Sequence, residues 1–369
     1  MRNKEEMNII DKYYNKIILG DCIEILKLLP EKSVDLIFAD PPYNLQLKND
    51  LYRPNQTLVD GVSDNWDKFN SLKDYDEFTY NWLTECKRVL KDDGTIWVIG
   101  SYHNIFMVGS IMQNIGFWLL NDIIWIKNNP MPNFKGTRFT NAHETLIWAS
   151  RTEKSKYTFH YKSMKTYNDD LQMRSDWYIP ICSGRERLKK DGCKVHSTQK
   201  PEELLSRIIL ASSNVGDLIL DPFMGSGTTG VVAKRLNRYY IGIEKESKYI
   251  EIAEERIRII KPIDPQFLNY TEEIKPPKVP LGSLLEKGLI KIGECLYSKS
   301  KKYSAIVLAT GSLVTDDSLT GSIHNLSAQL LHKQSNNGWK FWYVIREDKL
   351  ICIDELRELY IKEYELAYI

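Results

Sequence analysis

Several features that define other protein classes are missing from this chain of 369 residues. No apolar run approaches the roughly 20 residues that a membrane-spanning helix needs. The N-terminal segment MRNKEEMNIIDKYYNK is polar and mixed in charge, unlike a secretory signal peptide. The six cysteines form no CxxC pair, and no Cys/His cluster has the spacing of a zinc site. These absences predict a cytosolic protein with reduced thiols and no bound metal.

The chain as a whole also lacks an excess of charge of one sign. It contains 50 Lys and Arg against 49 Asp and Glu, and a net charge of +1 argues neither for nor against a nucleic-acid partner. The distribution is uneven, because residues 128–200 contain 14 Lys and Arg against 7 Asp and Glu, a surplus of seven. This segment lacks a clear hydrophobic period, so it is either a solvated loop insert or a surface that faces phosphates. Four interleaved aromatic residues favour the second interpretation: Tyr157, Phe159, Tyr161 and Trp177.

Strand-like and helix-like segments alternate over residues 1–262. Strands are expected in NKIILGD, SVDLIFAD, GTIWVIGS, WLLNDIIWIK, HETLIWAS, DLILD and YYIGIE, with helical patterns between most of them. This alternation predicts an α/β fold with a doubly wound, mostly parallel sheet. Residues 263–280 are proline-rich and polar, which is typical of a linker. Residues 281–369 then form a smaller domain of short strands and turns that ends in a helical segment, ICIDELRELYIKEY.

A glycine-rich turn, DPFMGSGTTG, lies between a strand and a helix at residues 221–230. Glycines let the backbone approach a ligand closely, and the helix N-terminus offers free N–H groups. The next strand ends in Glu244, where an acidic residue commonly accepts hydrogen bonds from ribose hydroxyls. No lysine follows the glycines, so the turn is not a P-loop. The spacing of Gly225, Gly227 and Gly230 fits either NAD or S-adenosylmethionine.

A second motif, Asp40-Pro41-Pro42-Tyr43, ends the apolar strand VDLIFA. An exocyclic amine of a nucleobase is a poor nucleophile, because its lone pair is delocalised into the ring. Two acceptors that hold both N–H hydrogens would aim that lone pair at an electrophile, and the Asp40 carboxylate and the Pro41 carbonyl can supply them. Tyr43 offers an aromatic face on which a base can stack. The motif therefore favours transfer of a methyl group to a base amine, and S-adenosylmethionine over NAD.

The two motifs, with DPPY first and FMGSG second, resemble the β-group of amino-methyltransferases that act on DNA. The resemblance covers residues 1–262 and implies a circularly permuted, Rossmann-like sheet of the S-adenosylmethionine-dependent methyltransferase type, with the glycine strand late in the chain. It implies that Asp40, Pro41, Pro42 and Tyr43 are the catalytic residues. The implied cofactor pocket consists of Asp21, Lys200, Asp221, Phe223, Gly225, Ser226, Gly227, Thr228, Thr229 and Glu244.

Other segments, among them GSYHNIF, NPMPNFKGTRF, AHETLIWAS and QMRSDW, are similar to the CcrM type, the cell-cycle-regulated adenine methyltransferases of bacteria. This resemblance extends over nearly the whole chain. It implies methyl transfer to adenine N6 in the duplex sequence GANTC, carried out by a homodimer in the bacterial cytoplasm. It also implies that the C-terminal unit recognises DNA. The candidate DNA contacts are Lys48, Arg53, Lys135, Arg138, Ser322, Asn337 and Trp339.

Other interpretations remain open at this stage. An NAD-dependent oxidoreductase could use the same glycine turn, but it would leave DPPY and the basic segment unexplained. A DNA-binding regulator without activity could retain the fold, although both motifs are intact. Methylation of cytosine N4 or of RNA is a third alternative. Residues 44–73 form a loop long enough to be a lid or a binding loop. Trp66 in this loop is either a core anchor or a wedge at the base stack. Trp339 could equally belong to a core.

Overall fold

The computed structural model describes residues 10–44, 69–133, 136–184, 186–190, 193–194, 198–268 and 279–365. The chain divides into two compact units, Met1–Glu272 and Glu273–Ile369. Within the described residues, no helix is both long enough and apolar enough to cross a lipid bilayer.

The first unit is built on an eight-stranded sheet. Its strands are β1 (Lys16–Leu19), β2 (Val34–Ala39), β3 (Leu90–Gly100), β4 (Trp118–Ile126), β5 (His143–Ser150), β6 (Asp176–Tyr178), β9 (Leu218–Asp221) and β10 (Tyr239–Glu244). A separate hairpin pairs β7 (Lys189–Lys190) with β8 (Cys193–Lys194). The helices are α1 (Cys22–Leu28), α2 (Leu72–Val89), α3 (Ile105–Ile115), α4 (Tyr161–Tyr167), α5 (Glu202–Ser212), α6 (Thr228–Arg235) and α7 (Ser247–Arg258), followed by a 3₁₀ turn at Pro265–Leu268.

The order of strands across the sheet is β1-β10-β9-β2-β3-β5-β4-β6. The glycine-turn strand β9 and its successor β10 come last in the chain, yet they lie between β1 and β2 in the sheet. This order is the permuted arrangement that the motifs predicted. Every neighbouring pair is parallel except those made by β5, which is antiparallel to both β3 and β4. β5 therefore runs against the other seven strands, and its first residues lie at the edge where theirs end.

Both faces of this sheet are covered by helices. Along β2 the side chains alternate, with Leu36 and Phe38 in one buried cluster and Ile37 and Ala39 in the other. Helices α5, α6 and α7 pack on the first face, while α1, α2 and α3 pack on the second. Burial on both faces explains why β2 reads as a continuous apolar run, as central parallel strands do.

Residues 128–200 contain more regular structure than their sequence predicted. Besides α4 and the β7–β8 hairpin, this segment supplies β6, which pairs in parallel with β4 at the edge of the sheet. Trp177 in β6 is 5% exposed and belongs to the core. The three-residue strand is too short to show a period, which is why the pattern did not predict it.

The second unit has a six-stranded antiparallel sheet in the order β14-β13-β12-β11-β15-β16. Its strands are β11 (Cys295–Ser298), β12 (Ser304–Val307), β13 (Leu313–Val314), β14 (Thr320–Gly321), β15 (Trp342–Arg346) and β16 (Lys349–Cys352). Its helices are α8 (Leu281–Glu286), α9 (Ile323–Leu330), α10 (Gly338–Phe341) and α11 (Ile353–Glu365). The final segment was expected to be helical throughout, but Ile351 and Cys352 belong to β16, because their backbone pairs with β15.

Candidate active site

Four acidic residues stand at the carboxyl ends of four neighbouring strands. Because β1, β10, β9 and β2 are adjacent and parallel, their carboxyl ends meet at one edge of the sheet, where open α/β folds bind ligands. Asp21 comes two residues after β1, Glu244 ends β10, Asp221 ends β9, and Asp40 follows β2. All four line one cavity of about 280 Å³. The topology thus brings together motifs that are distant in the sequence.

The residues predicted to be catalytic or to hold the cofactor line this cavity, with one exception. Lining positions include Asp21, Asp40, Pro41, Pro42, Tyr43, Lys200, Asp221, Phe223, Gly225, Ser226, Thr228, Thr229 and Glu244. The exception, Gly227, has a φ of +79°, and a Cβ added to it would lie 2.7 Å from the Cβ of Ala253. A Cβ on Gly230 would lie 2.6 Å from Ile257 Cδ1. These two glycines therefore permit close packing of α6 on α7, not the approach of a ligand as their spacing suggested.

The Glu244 carboxylate closes the glycine turn. Its Oε2 accepts the backbone N–H of Gly225 at 2.7 Å, and its Oε1 accepts the N–H of Glu246 at 2.9 Å. Burial raises the pKa of Glu244, although these backbone hydrogen bonds oppose the shift. Because the Gly225 amide already meets a carboxylate, it is not free for the pyrophosphate of a dinucleotide.

Asp221, 3% exposed, lies at the base of the same turn. Its Oδ1 accepts the Phe223 N–H at 2.9 Å, and its Oδ2 accepts the Thr229 hydroxyl at 2.5 Å. Burial raises the pKa of Asp221 to about 7, since the two hydrogen bonds do not fully compensate for lost hydration, and nearby Asp40 and Glu244 add repulsion.

Asp40 is held by a single cation. Its Oδ2 lies 2.9 Å from the ammonium of Lys200, whose side chain is only 7% exposed. Its other oxygen, Oδ1, is buried, and nothing in the described part of the chain donates a hydrogen bond to it. Burial raises the pKa of the Asp40 carboxyl, and the Lys200 charge opposes that shift. One oxygen is therefore anchored while the other remains available to a ligand in the cavity.

Glu144, the second residue of β5, connects Lys200 to Tyr43. Its Oε2 accepts the Tyr43 hydroxyl at 3.0 Å and lies 3.6 Å from Lys200 Nζ. Its Oε1 forms a salt bridge of 2.8 Å with Lys127, which follows β4. Burial alone would raise the pKa of Glu144, but Lys200 and Lys127 outweigh it, so the pKa is lowered. Lys200 also lies 5.2 Å from the centre of the Tyr43 ring, within range of a cation–π interaction.

The backbone of the motif is held from the opposite side. The hydroxyl of Tyr75 in α2 donates to the Pro42 carbonyl at 2.5 Å, and the side-chain amide of Asn104 donates to that hydroxyl at 3.2 Å. Tyr75 is 2% exposed and Asn104 is 1% exposed. The carbonyl of Pro42 is therefore engaged within the protein.

A buried arginine supports the glycine turn from below. Arg256 in α7 donates to the Ser226 carbonyl at 3.2 Å and to the Thr228 hydroxyl at 3.0 Å. Its other terminal nitrogen lies 2.7 Å from a carboxylate oxygen of Glu202, at the start of α5. Arg256 thus links the turn to the helix that follows Lys200.

Four of the seven predicted DNA contacts lie within the described residues, one in the first unit and three in the second. Lys48, Arg53 and Lys135, as well as Trp66, lie outside the described residues. Arg138 is exposed and donates to the Tyr102 hydroxyl at 2.6 Å.

In the second unit, three predicted DNA contacts have structural partners. Ser322 and Asn337 are exposed, but their side chains cap α9 and α10 by accepting the N–H groups of Asn325 and Trp339. The Trp339 ring is 6% exposed in the core and lies 4.9 Å from the Arg357 guanidinium. Its position therefore fits the alternative that Trp339 is a core residue, and its ring does not face solvent where DNA could reach it.

Five buried polar residues around the cavity were not singled out from the sequence: Tyr75, Asn104, Lys127, Glu144 and Arg256. A signal existed for Glu144, because an acidic residue opens an otherwise apolar strand, HETLIWAS. Charged groups are almost never buried unless they are paired.

Comparison with known protein families matches both units. The family model described as DNA methylase matches residues 34–255, more than half of the chain. A second model, described as Restriction Enzyme Adenine Methylase Associated, matches residues 266–365.

Individual proteins are similar to the chain over most of its length. It is 52% identical to the Type II methyltransferase M.HinfI of Haemophilus influenzae over 355 residues, which cover 96% of this chain and 99% of that protein. It is 44% identical to the Type II methyltransferase M2.DpnII of Streptococcus pneumoniae over 250 residues, covering 66% of this chain and 91% of that protein. Among solved structures, the M1.HpyAVI–SAM complex is similar with a TM-score of 0.50 and 28% identity, over 66% of this chain and 99% of that one.

Proposed function

The chain belongs to the N6/N4 DNA methylase family and is an adenine DNA methyltransferase that uses S-adenosylmethionine; from this premise we propose that it methylates N6 of adenine within duplex GANTC sites. The observation that carries the chemistry is the buried Oδ1 of Asp40, which accepts no hydrogen bond from the described residues and belongs to the cavity that the glycine turn also lines.

The cavity suits the cofactor in charge and shape. Acidic side chains at the strand ends, among them Asp21 and Glu244, favour a sulfonium cation. Aromatic side chains suited to an adenine ring line it as well: Phe69, Phe78, Phe223 and Tyr249. When bound, S-adenosylmethionine supplies an electrophilic methyl group, so the protein needs no nucleophilic side chain. We assign the ribose to Glu244 and the adenine edge to Asp21.

The protein residues orient the acceptor amine. Asp40 Oδ1 accepts one N–H of the adenine N6, and the Pro41 carbonyl accepts the other, so the nitrogen lone pair is turned toward the methyl group. The Tyr43 ring stacks on the base, which has left the duplex to enter the cavity. The proton that N6 loses after methylation can pass to Asp40 Oδ1, which no described donor occupies. Orientation of this kind lowers the activation free energy of methyl transfer by several kcal/mol.

The target sequence rests on the resemblance to the CcrM type, whose site is GANTC and whose motifs run along nearly the whole chain. The 52% identity to a Type II methyltransferase over 96% of the chain supports methylation of DNA. We further propose a homodimer on double-stranded DNA in the bacterial cytoplasm, and a role for residues 281–369 in selecting the site. Residues 266–365 match a model of an adenine-methylase-associated region, which supports that role.

Methyl transfer from labelled S-adenosylmethionine to defined duplexes tests the proposal. We expect N6-methyladenine in GANTC duplexes, and roughly 5- to 150-fold less product when one specified base is changed, since a mismatched base pair weakens specific binding by about 1–3 kcal/mol. Nucleoside analysis that finds N4-methylcytosine, or equal labelling of RNA, would overturn it. Light scattering at the assay concentration tests the dimer.

A chain truncated at residue 275 tests the C-terminal unit. We expect it to bind S-adenosylmethionine as the full chain does, and to lose activity or discrimination on GANTC. Full and selective methylation by the truncated chain would show that the second unit is not needed to select the site.

A further inference from the structure

A row of alternating charges extends from the catalytic motif into the protein. Asp40 contacts Lys200 at 2.9 Å, Lys200 lies 3.6 Å from Glu144, and Glu144 contacts Lys127 at 2.8 Å. The side chains are largely buried, with exposed fractions of 16%, 7%, 11% and 10% in that order. Tyr43 joins the row through its hydroxyl, which donates to Glu144.

This row determines which oxygen of Asp40 is available. Oδ2 is engaged by Lys200, whereas Oδ1 has no donor among the residues that the structure describes. The Tyr43 hydroxyl has a single proton and donates it to Glu144 at 3.0 Å. Glu144 therefore accepts the hydroxyl proton of Tyr43, which is then not donated to Asp40. Its negative charge also attracts the Lys200 ammonium, which lies beside Asp40 Oδ2 and not Oδ1.

We propose that Glu144 is a positioning residue for methyl transfer: by holding Lys200 and the Tyr43 hydroxyl, it reserves Asp40 Oδ1 for the target amine and fixes the ring on which the base stacks. The inference rests on the proposed function, because it assigns the amine of the flipped base to Asp40. It deepens that function by identifying a residue that lies behind the motif and does not line the cavity.

The charges around Asp40 give the proposal a signature that simple loss of packing would not produce. Lys200 lowers the pKa of Asp40, whereas Glu144 raises it, and Tyr43 and Asp221 of the adjacent strand β9 are the other titratable groups that face Asp40. Asp40 must be ionised to accept the amine. Replacing Lys200 with Met should therefore move the acid limb of the kcat profile to higher pH, and replacing Glu144 with Gln should move it to lower pH.

The test compares Glu144→Gln and Lys200→Met with wild type in the full chain. We expect Glu144→Gln to lower kcat by roughly 10- to 100-fold, the effect of misplacing reacting groups by about 1 Å, with S-adenosylmethionine affinity within about threefold of wild type in calorimetry. The acid limbs should shift in opposite directions in the two variants. Parallel shifts, or unchanged limbs with reduced kcat, would reduce Glu144 to a structural residue and overturn the proposal.

Binding supplies a second readout that does not depend on turnover. Affinity is measured with S-adenosylhomocysteine present, for duplexes carrying adenine or purine at the target position, since purine lacks the exocyclic amine. The free energy needed to flip the target base out of each duplex is the same for wild type and variant. It therefore cancels when the adenine and purine duplexes are compared in a double-mutant cycle. We expect the preference for adenine over purine to shrink at least threefold in Glu144→Gln, and an unchanged preference would contradict the assignment of Oδ1.

Two controls separate the possible failures. Glu24→Gln breaks an exposed ion pair with Lys27 in α1 and should leave kcat and the acid limb as in wild type. Tyr43→Phe keeps the ring and removes only the hydroxyl, so it tests the same link if Glu144→Gln fails to give a cooperative melting transition. It should lower kcat without changing cofactor affinity, and wild-type kcat would count against the proposal.

If wild type itself methylates no adenine, the proposed function fails, whereas an active wild type with an unaffected Glu144→Gln overturns only this inference.

Discussion

Replacing Asp221 with Asn should change how the stability of the first unit depends on pH. The pKa of Asp221 is raised from 3.8 to about 7 by burial. Between these values the folded state binds more protons than the unfolded state, so the free energy of unfolding falls as the pH rises, and the dependence ends above about pH 7. The acid is most compatible with the fold when it is protonated, which is the opposite of the usual effect of an ion-paired carboxylate.

The magnitude follows from the size of the shift. Each pKa unit corresponds to about 1.4 kcal/mol, so the wild type loses about 3 kcal/mol between pH 4 and pH 7 through this group, and about 2 kcal/mol between pH 5 and pH 7. Asparagine has nearly the same shape and cannot ionise. Its amide oxygen can accept the Phe223 N–H, and its NH₂ can donate to the Thr229 hydroxyl, so both hydrogen bonds of Asp221 can be retained.

The assay is differential scanning calorimetry of both proteins without cofactor from pH 5 to pH 8, which can resolve transitions of the two units. We expect Asp221→Asn to gain stability relative to wild type as the pH rises, by an amount approaching 2–3 kcal/mol at pH 7. Asp169→Asn, which changes an exposed aspartate, is the matched control. Parallel pH profiles for wild type and Asp221→Asn would refute the claim that a protonated Asp221 is built into the fold.

Three further substitutions probe the site. Asp40→Ala should abolish methyl transfer while leaving S-adenosylmethionine binding intact in calorimetry, because Asp40 orients the amine; activity within about tenfold of wild type would contradict that role. Glu244→Ala should first weaken cofactor affinity, since its carboxylate closes the glycine turn at Gly225, and unchanged affinity would show that the ribose lies elsewhere. Arg256→Met should lower the melting temperature and weaken cofactor binding together, because it removes one of the two arginine partners of the partly buried Glu202 and frees the turn at Ser226. Since Arg235 remains, the loss of stability should be smaller than the roughly 3–5 kcal/mol of a broken, fully buried pair. If the melting temperature and the cofactor affinity of Arg256→Met are unchanged, the contact of Arg256 with the turn does not support the cofactor site.

The arrangement of the first unit was predictable because its signals are local and strong. Apolar runs ending in Asp40, Asp221 and Glu244 identify the central strands, and the family resemblance carried by the two motifs implies the permuted sheet. The residues that line the cavity follow from that order, since the carboxyl ends of adjacent parallel strands share an edge.

Side chains that act through packing were harder to predict. The spacing of Gly227 and Gly230 matches a cofactor turn, yet their lack of a side chain serves the contact between α6 and α7. Trp339 lies in a turn-like segment, SNNGW, but its ring is buried. In both cases the sequence pattern identifies a residue type that the fold requires. The role of that residue depends on its neighbours in three dimensions, which the pattern does not give.

Glu144 shows why the inner part of the site could be predicted only in part: the sequence signals a buried acid in this strand, but it does not signal that the acid lies beside the catalytic motif. In a parallel sheet the first residues of a strand lie at the edge opposite the active site, so an acid at the start of a strand is expected to be far from the chemistry. β5 is the one strand of the eight-stranded sheet that runs in the opposite direction, and this reversal brings its second residue level with the end of β3. Glu144 therefore reaches Lys200 and Tyr43 because of strand direction, a property that depends on long-range pairing and has no local pattern in the sequence.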